Sequence, residues 1–264
     1  MDWLDNLVAT FLDFDAMWQV FPQLLGVGLV NTLVISIAAT VIGVVLGMII
    51  AIMGISRSRW LRVPARIYTD VFRGLPAILT ILLIGQGFAR ASQQIFGPSP
   101  YPLGILALSL IASAYIGEIF RAGIQSVDRG QLEACRALGM SYGNAMRLVV
   151  VPQGVRRVLP ALVNQFIAIV KDSSLVYFLG LLVSERELFR VGQDAAVLTG
   201  NLSPLVMAGL FYLIITVPLT HLVNYFDDRF RTGRRKPTPP KSGLDEVEEQ
   251  HKGAPVSLTY GENS

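Results

Sequence analysis

The 264-residue chain is 52% hydrophobic and 16% charged, with a mean hydropathy of +0.52. Soluble domains carry roughly 25% charged residues, so the composition argues against a water-soluble enzyme and for an integral membrane protein. The net charge of +3 says little by itself, because its distribution matters more than its size, and the single cysteine, Cys135, excludes an internal disulfide and a multi-cysteine metal site.

Residues 1–22 mix acids with aromatics. Trp3, Leu4, Leu7, Phe11, Phe14 and Trp18 recur at roughly helical spacing, which predicts a helix lying in the membrane interface, with a frayed terminus as the alternative. Asp2, Asp5, Asp13 and Asp15 precede the first apolar run and no basic residue does, so a cleavable signal peptide is not expected.

The first span is predicted over 24–54, without a formal charge. It exceeds the roughly 20 residues that cross a bilayer, so it should tilt or protrude. Ala39, Gly43, Gly47 and Ala51 fall every fourth residue and form a stripe for close helix packing in lipid. After the basic segment SRSRWLRVPAR comes a second span over 67–89, with Arg73, Gly74 and Pro76 marking its inner end. A third span covers 102–122, a fourth 158–183 with Lys171 and Asp172 inside it, and a fifth 204–226. The segment between the last two, SERELFRVGQDAAVLTGNLSP, reads as turn-like. The fold expected is all-α, with five transmembrane helices over 23–227 and a disordered cytoplasmic tail over 228–264.

Basic residues set the orientation. Segments after spans one, three and five hold Arg57, Arg59, Arg62 and Arg66, then Arg121, Arg129, Arg136, Arg147, Arg156 and Arg157, then Arg229, Arg231, Arg234, Arg235, Lys236 and Lys241. The alternate segments hold only Arg90, Arg186 and Arg190. By the positive-inside rule the N-terminus lies outside and the C-terminus is cytoplasmic.

The most explicit stretch is Val127–Pro160. Asp128 can cap a short helix, Gln131 can complete a capping box, and Val127 with Leu132 can form a hydrophobic staple. Gly139 stands where a left-handed helix stop is expected. Ser141 can cap a second short helix, predicted to end near Val150 because Pro152 cannot continue it. Ala134, Cys135 and Ala137 are small, so another protein can approach the backbone closely. The stretch reads as a docking element.

Glu133-Ala134-Cys135, then Gly139, then Val149-x-Val151-Pro152 resembles the EAA loop of permease subunits of ABC-type importers. Flanking matches narrow the resemblance to the polar amino acid branch: GLVNTLVIS at 28–36, FRGLP at 72–76, AYIGEIFRAGIQSV at 114–127 and KDSSL at 171–175. Cys135 departs from the usual alanine, and valines stand for the usual Ile and Leu before Pro152. The resemblance implies the type I importer permease fold, with a coupling helix in the loop at about 128–152. It implies uptake of a polar amino acid, glutamate or glutamine being favoured, driven by ATP and Mg²⁺ on two separate cytoplasmic subunits. A second permease subunit, identical or paralogous, and an extracytoplasmic solute-binding protein complete the implied complex in a bacterial cytoplasmic membrane. No cofactor is implied for this chain, and it contains no GxxxxGK[ST] phosphate loop. In the implied docking, Glu133 anchors the loop to the ATPase, Ala134, Cys135, Ala137 and Leu138 lie at the contact, and Gly139 turns the chain ahead of Pro152. A thiol at Cys135 would make that contact sensitive to thiol reagents.

Ionisable residues at membrane depth are costly and should face the bundle interior or a watery path. Glu118 and Arg121, three residues apart, can pair or contact the charged ends of an amino acid. Lys171 and Asp172 can do likewise with Ser173 and Ser174 as hydrogen-bond partners, or form an internal ion pair. Arg73 is expected to pair with a helix terminus or a lipid phosphate. His221 and His251 lie too far apart in environment for a metal site. A stand-alone carrier is the rival reading, and would show an internal repeat; a membrane scaffold is another.

Overall fold

The computed structural model describes the backbone of residues 2–231 and the side chains of residues 3–225. The predicted tail beyond Arg231, with Lys236, Lys241 and His251, lies outside the described residues. Contacts divide the chain into Met1–Asn224 and Tyr225–Ser264. Of the second unit, only the end of the last helix is described. Every regular element among the described residues is helical.

In the first unit, α1 covers Asp2–Phe11 and α2 covers Phe14–Gln23. Asp13 caps α2 by accepting from the Asp15 and Ala16 amides. The helix passes Pro22 and continues through a π turn, Leu24–Gly28, into α3, Leu29–Ile55. The first span therefore begins well before residue 24, because the π turn absorbs the proline rather than ending the helix. The N-terminal segment is folded: Leu202 N–H donates to Thr10 O at 2.8 Å, and Asn201 Nδ2 donates to Asp13 Oδ2 at 3.0 Å. Trp3, Leu4, Leu7, Phe11, Phe14 and Trp18 are exposed.

The second span is broken. Its first half, α4 (Arg59–Gly74), takes in the basic segment that read as a connector, and its second half is α5 (Ala77–Gly87). The two are bent by 106°. Leu75 precedes Pro76 and is held extended at φ −83°, ψ 142°, the conformation a residue before proline favours. Next come α6 (Ala89–Phe96), α7 (Tyr101–Gln125), α8 (Arg129–Ala137) and α9 (Tyr142–Ala145). A π turn at Met146–Val150 leads into α10 (Val151–Arg157), which is followed by α11 (Leu159–Asp172) and a 3₁₀ segment, Ser173–Leu179. Two further α-helices follow among the described residues, α12 (Leu188–Thr199) and α13 (Ser203–Arg231). Four stretches are long and apolar enough to cross a membrane: Trp3–Ile55, Tyr101–Gln125, Leu159–Leu179 and Ser203–Tyr225. The bent α4–α5 pair is apolar enough when taken together to count as a fifth.

The core is the crossing of α3 over α7. Ala39, Gly43, Gly47 and Ala51 are all buried against α7, which is itself buried along most of its length. A Cβ on Gly47 would lie 3.0 Å from the Gly117 amide nitrogen and 3.0 Å from Ser113 O, so the backbones touch directly. The opposite face of α3 presents Val30, Val34, Ile37, Val41, Val45 and Ile49 outward. In lipid that face costs nothing, and packing on the small-residue side holds the pair together.

The segment that read as turn-like contains α12. Gly200, at φ +72°, ends it, and Leu188 and Val191 bury against Val20, Leu24, Ala208 and Phe211. Gly47→Leu is expected to force α3 from α7 at a cost of about 1–3 kcal/mol. Gly26, with nothing within 4 Å of its Cβ position, should accept Leu freely. Thermal unfolding of the two purified variants tests this: equal losses of Tm would contradict the packing described.

Candidate functional site

The docking element is built as its residues dictate. Asp128 caps α8 by accepting from the Gly130 amide at 2.6 Å. Gln131 does not complete a capping box; its Oε1 instead lies 3.5 Å from Gln153 Nε2, across the loop. At the far end Gly139 takes φ +84°, Met140 N–H donates to Cys135 O at 3.0 Å and Gly139 N–H donates to Arg136 O at 3.1 Å. These two bonds make a Schellman stop, and its φ favours glycine. Ser141 caps α9 by accepting from the Asn144 amide at 3.2 Å.

The second helix does not end at Val150. The π turn widens it ahead of Pro152, and α10 runs on to Arg157, so the missing proline N–H breaks nothing. Val127, Ile124 and Val150 form a buried cluster with Ile55, Leu132 and Met146 packed on it, which is the predicted staple extended to two more helices. Arg157 Nη1 also donates to Ser126 O. The element is thereby fastened to one end of α7.

Glu133, Ala134, Ala137, Leu138 and Gly139 are exposed on α8 and its stop, Leu138 at 84%. Cys135 is not among them. Its side chain is buried within the chain, so it is not part of that exposed face. The error came from treating three small residues as one face; successive helical positions turn by about 100°.

Glu118 and Arg121 on α7 form a bidentate pair, Nε to Oε1 at 2.8 Å and Nη2 to Oε2 at 2.6 Å. Arg73 approaches the same carboxylate, with Nη1 3.6 Å from Oε2, and lies over the Tyr115 ring at 5.4 Å. Arg73 stands in the last turn of α4, the helix end expected for it, and reaches the α7 carboxylate from there. The bend between α4 and α5 carries it onto α7.

Among the described residues Lys171 and Asp172 form no contact ion pair, and the neighbouring serines bond to backbone carbonyls rather than to their side chains. Ser174 donates to Lys171 O and Ser173 to Val170 O, both at 2.7 Å, where α11 tightens into the 3₁₀ segment. Hydroxyls at a helix break satisfy their own backbone first.

Sequence reasoning missed Glu187. This fully buried carboxylate caps α12, accepting from Phe189 N at 2.6 Å, from Arg190 N at 2.7 Å and from Tyr212 Oη at 3.1 Å. Beside it Thr32 Oγ1 accepts from Leu188 N at 3.1 Å. Arg186 and Arg190 pair with Asp194 at 3.2 and 3.0 Å, and Arg190 lies over the Tyr177 ring. The helix stop at Gly200 was a readable sign of α12, whereas a glutamate cap is not a strong sequence signal.

Residues 43–232 match the sequence family described as binding-protein-dependent transport system inner membrane component. The chain belongs to that family. Among its curated permease relatives is the arginine transport system permease protein ArtQ of Bacillus subtilis, 36% identical over 212 residues, covering 80% of this chain and 94% of that one. The glutamate/aspartate import permease protein GltK of Escherichia coli O6:H1 is 35% identical over 226 residues, covering 82% and 97%. A solved permease chain, described as an amino acid ABC transporter with histidines, is 35% identical with a TM-score of 0.71, covering 83% and 99%. A chain of the MetNI methionine ABC transporter, 20% identical with a TM-score of 0.63, shares the fold. The chain thus has the fold of type I ABC importer permeases.

Burial raises the Glu187 carboxyl from 4.5 to about 7, against the opposing pull of the Phe189 and Arg190 amides and Tyr212. The folded protein then holds a proton that the unfolded chain releases between about pH 4.5 and 7. The group's contribution to stability is full below that window and falls as pH rises through it. Tm scans should therefore show the natural protein losing several degrees relative to Glu187→Gln between about pH 5 and 8. Parallel curves would refute the buried-acid assignment.

Proposed function

We propose that this chain is the membrane permease subunit of an ATP-binding-cassette importer that takes up a polar amino acid. The relatives named for arginine, glutamate/aspartate and glutamine transport support the cargo class. Within that class glutamate or glutamine is favoured. ATP and Mg²⁺ act on two cytoplasmic ATPase subunits, a second permease subunit completes the pathway, and an extracytoplasmic binding protein delivers the amino acid. The N-terminus lies outside and the C-terminus in the cytoplasm, as the arginine distribution requires. This chain transmits motion and does no hydrolysis.

The observation that carries the reading is the exposed face of α8. Glu133, Ala134, Ala137 and Leu138 project from a helix capped at both ends, and the largest of them, Leu138, has almost no cover within the chain. Such a surface suits a groove on another subunit, with Glu133 as the charged anchor. Because the Val127–Val150 cluster and the Arg157–Ser126 bond tie the element to α7, a displacement of α8 moves α7 as a rigid body. Glu118, Arg121, Lys171, Asp172, Ser173 and Ser174 are proposed to lie along the amino acid's route. Two separate polar stations, one on α7 and one at the α11 break, support that placement.

ATP-driven uptake of a labelled amino acid panel into vesicles containing permease, ATPase and binding protein tests the reading. Leu138→Asp should cut uptake by at least about tenfold while Tm of the isolated permease stays unchanged, because Leu138 is 84% exposed in its own chain. Uptake that needs no ATPase and ignores this substitution would make the protein a stand-alone carrier instead.

A further inference from the structure

α4 carries two adjacent stripes that the fold uses unequally. Arg59, Arg62, Arg66, Asp70 and Arg73 recur at intervals of three and four and so share one helix face. Trp60, Val63, Ile67 and Val71 recur likewise one position on, which sets their stripe about 100° around the helix. Ala65 and Thr69, on a third side, are the buried residues of α4. The C-terminal half of the charged stripe faces protein: Arg73 reaches Glu118 at 3.6 Å, Arg66 acts on the same carboxylate, and Arg66, Asp70 and Arg73 line one cavity. The N-terminal half faces none. The Arg59 and Arg62 side chains make no hydrogen bond and no ion pair among the described residues. Beside them Trp60 is 90% exposed and Val63 47%. An indole and a valine next to two unpaired guanidinium groups suit neither bulk water nor hydrocarbon; they suit the boundary between the two.

The surrounding chain places that patch at a membrane boundary. The uncharged α3 precedes it, and four arginines and an aspartate within sixteen residues keep α4 out of the hydrocarbon core. The 106° bend turns α4 off the line of the apolar α5. No acidic residue stands between Asp15 and Asp70, so the charge of Arg57, Arg59 and Arg62 is uncompensated along the chain.

We propose that the start of α4 is a binding surface for anionic phospholipid, with Arg59 and Arg62 on the headgroup phosphate and Trp60 and Val63 entering the acyl boundary beside it. That the leaflet is the cytoplasmic one rests on the orientation given under the proposed function; the lipid chemistry does not. A zwitterionic headgroup sets an ammonium beside its phosphate and repels the second arginine, whereas phosphatidylglycerol offers both a net negative partner. The patch is also joined to the docking element, since Ile55 packs on the Val127–Val150 cluster and Arg57 lies over the Tyr142 ring at 5.3 Å. Bound lipid therefore braces that element from the membrane side.

The test follows Trp60 fluorescence in the full chain in nanodiscs, with Trp3→Phe and Trp18→Phe leaving it the sole tryptophan. Brominated phosphatidylglycerol or brominated phosphatidylcholine, each added to unbrominated phosphatidylcholine, serves as the quencher. Half-maximal quenching should need at least about threefold less of the glycerol lipid, since each arginine near an anionic surface contributes about fivefold. Arg59→Gln with Arg62→Gln should erase that difference, and Arg59→Lys with Arg62→Lys should keep it. High salt should weaken it. Trp18 as the sole tryptophan, close to Asp13 and Asp15, should show no such preference with or without the glutamine substitutions. A fold-wide defect would disturb both tryptophans. Equal quenching of Trp60 by the two lipids would overturn the proposal. So would no quenching by either, which would assign the patch to a covering protein. A preference that survives the double glutamine change would overturn the roles of Arg59 and Arg62. Because the readout is lipid contact and not uptake, its failure leaves the importer reading standing, and loss of uptake leaves the lipid surface standing.

Discussion

The arrangement depends on one close contact, the backbone-to-backbone crossing of α3 over α7. In water a helix pair is drawn together by removing apolar surface from solvent, but in lipid both faces of α3 are equally at home. What singles out one face is how near another helix can come. Gly43 and Gly47 let Gly117 and Ala112 approach until nothing larger than hydrogen fits, and dispersion across that seam holds the bundle. The branched residues on the outer face of α3 then have no role in specifying the fold.

From that seam the rest can be followed outward. α7 is the common member: α3 packs along it, Arg73 is brought to it by the bend in α4–α5, and the docking element is pinned to its end through Val127, Leu132 and Val150. Gly154 of α10 repeats the device, since a Cβ there would stand 2.7 Å from Ile124 Cα. A part that must pass force to the spans is joined to them with no compressible side chain between. The fastening and the exposed Leu138 face are two sides of one short helix, which suits it to carry a push.

Much of this was legible from residues alone. The small-residue stripe at 39–51, the Asp128 cap, the Gly139 stop and the Ser141 cap each depend on local chemistry, and each took its expected place. What failed depended on distant partners or on prolines. Pro152 read as a terminator and Pro76 as a mark inside one span, whereas the first is absorbed by a π turn and the second makes a 106° bend. Cys135 read as a surface residue because its size was considered without its phase. Arg73 holds the helix end expected of it, but its approach to Glu118, 45 residues away in sequence, follows from no local pattern. Glu187 was passed over because only the folded chain brings Tyr212 and Thr32 around it.

The two π turns, at Leu24–Gly28 and Met146–Val150, have a further consequence. Each takes one residue more than an α turn to make a similar advance, and so resets the angular phase of everything after it by about 100°. Buried positions before and after such a turn no longer share one repeat. A single helical wheel drawn through α9 and α10 would therefore set Ala145 and Val150 about 140° apart, although both are buried. The chain is in this sense keyed like an offset crankshaft: removing one residue from either turn would leave the composition and the caps intact and aim the following helix at the wrong neighbour.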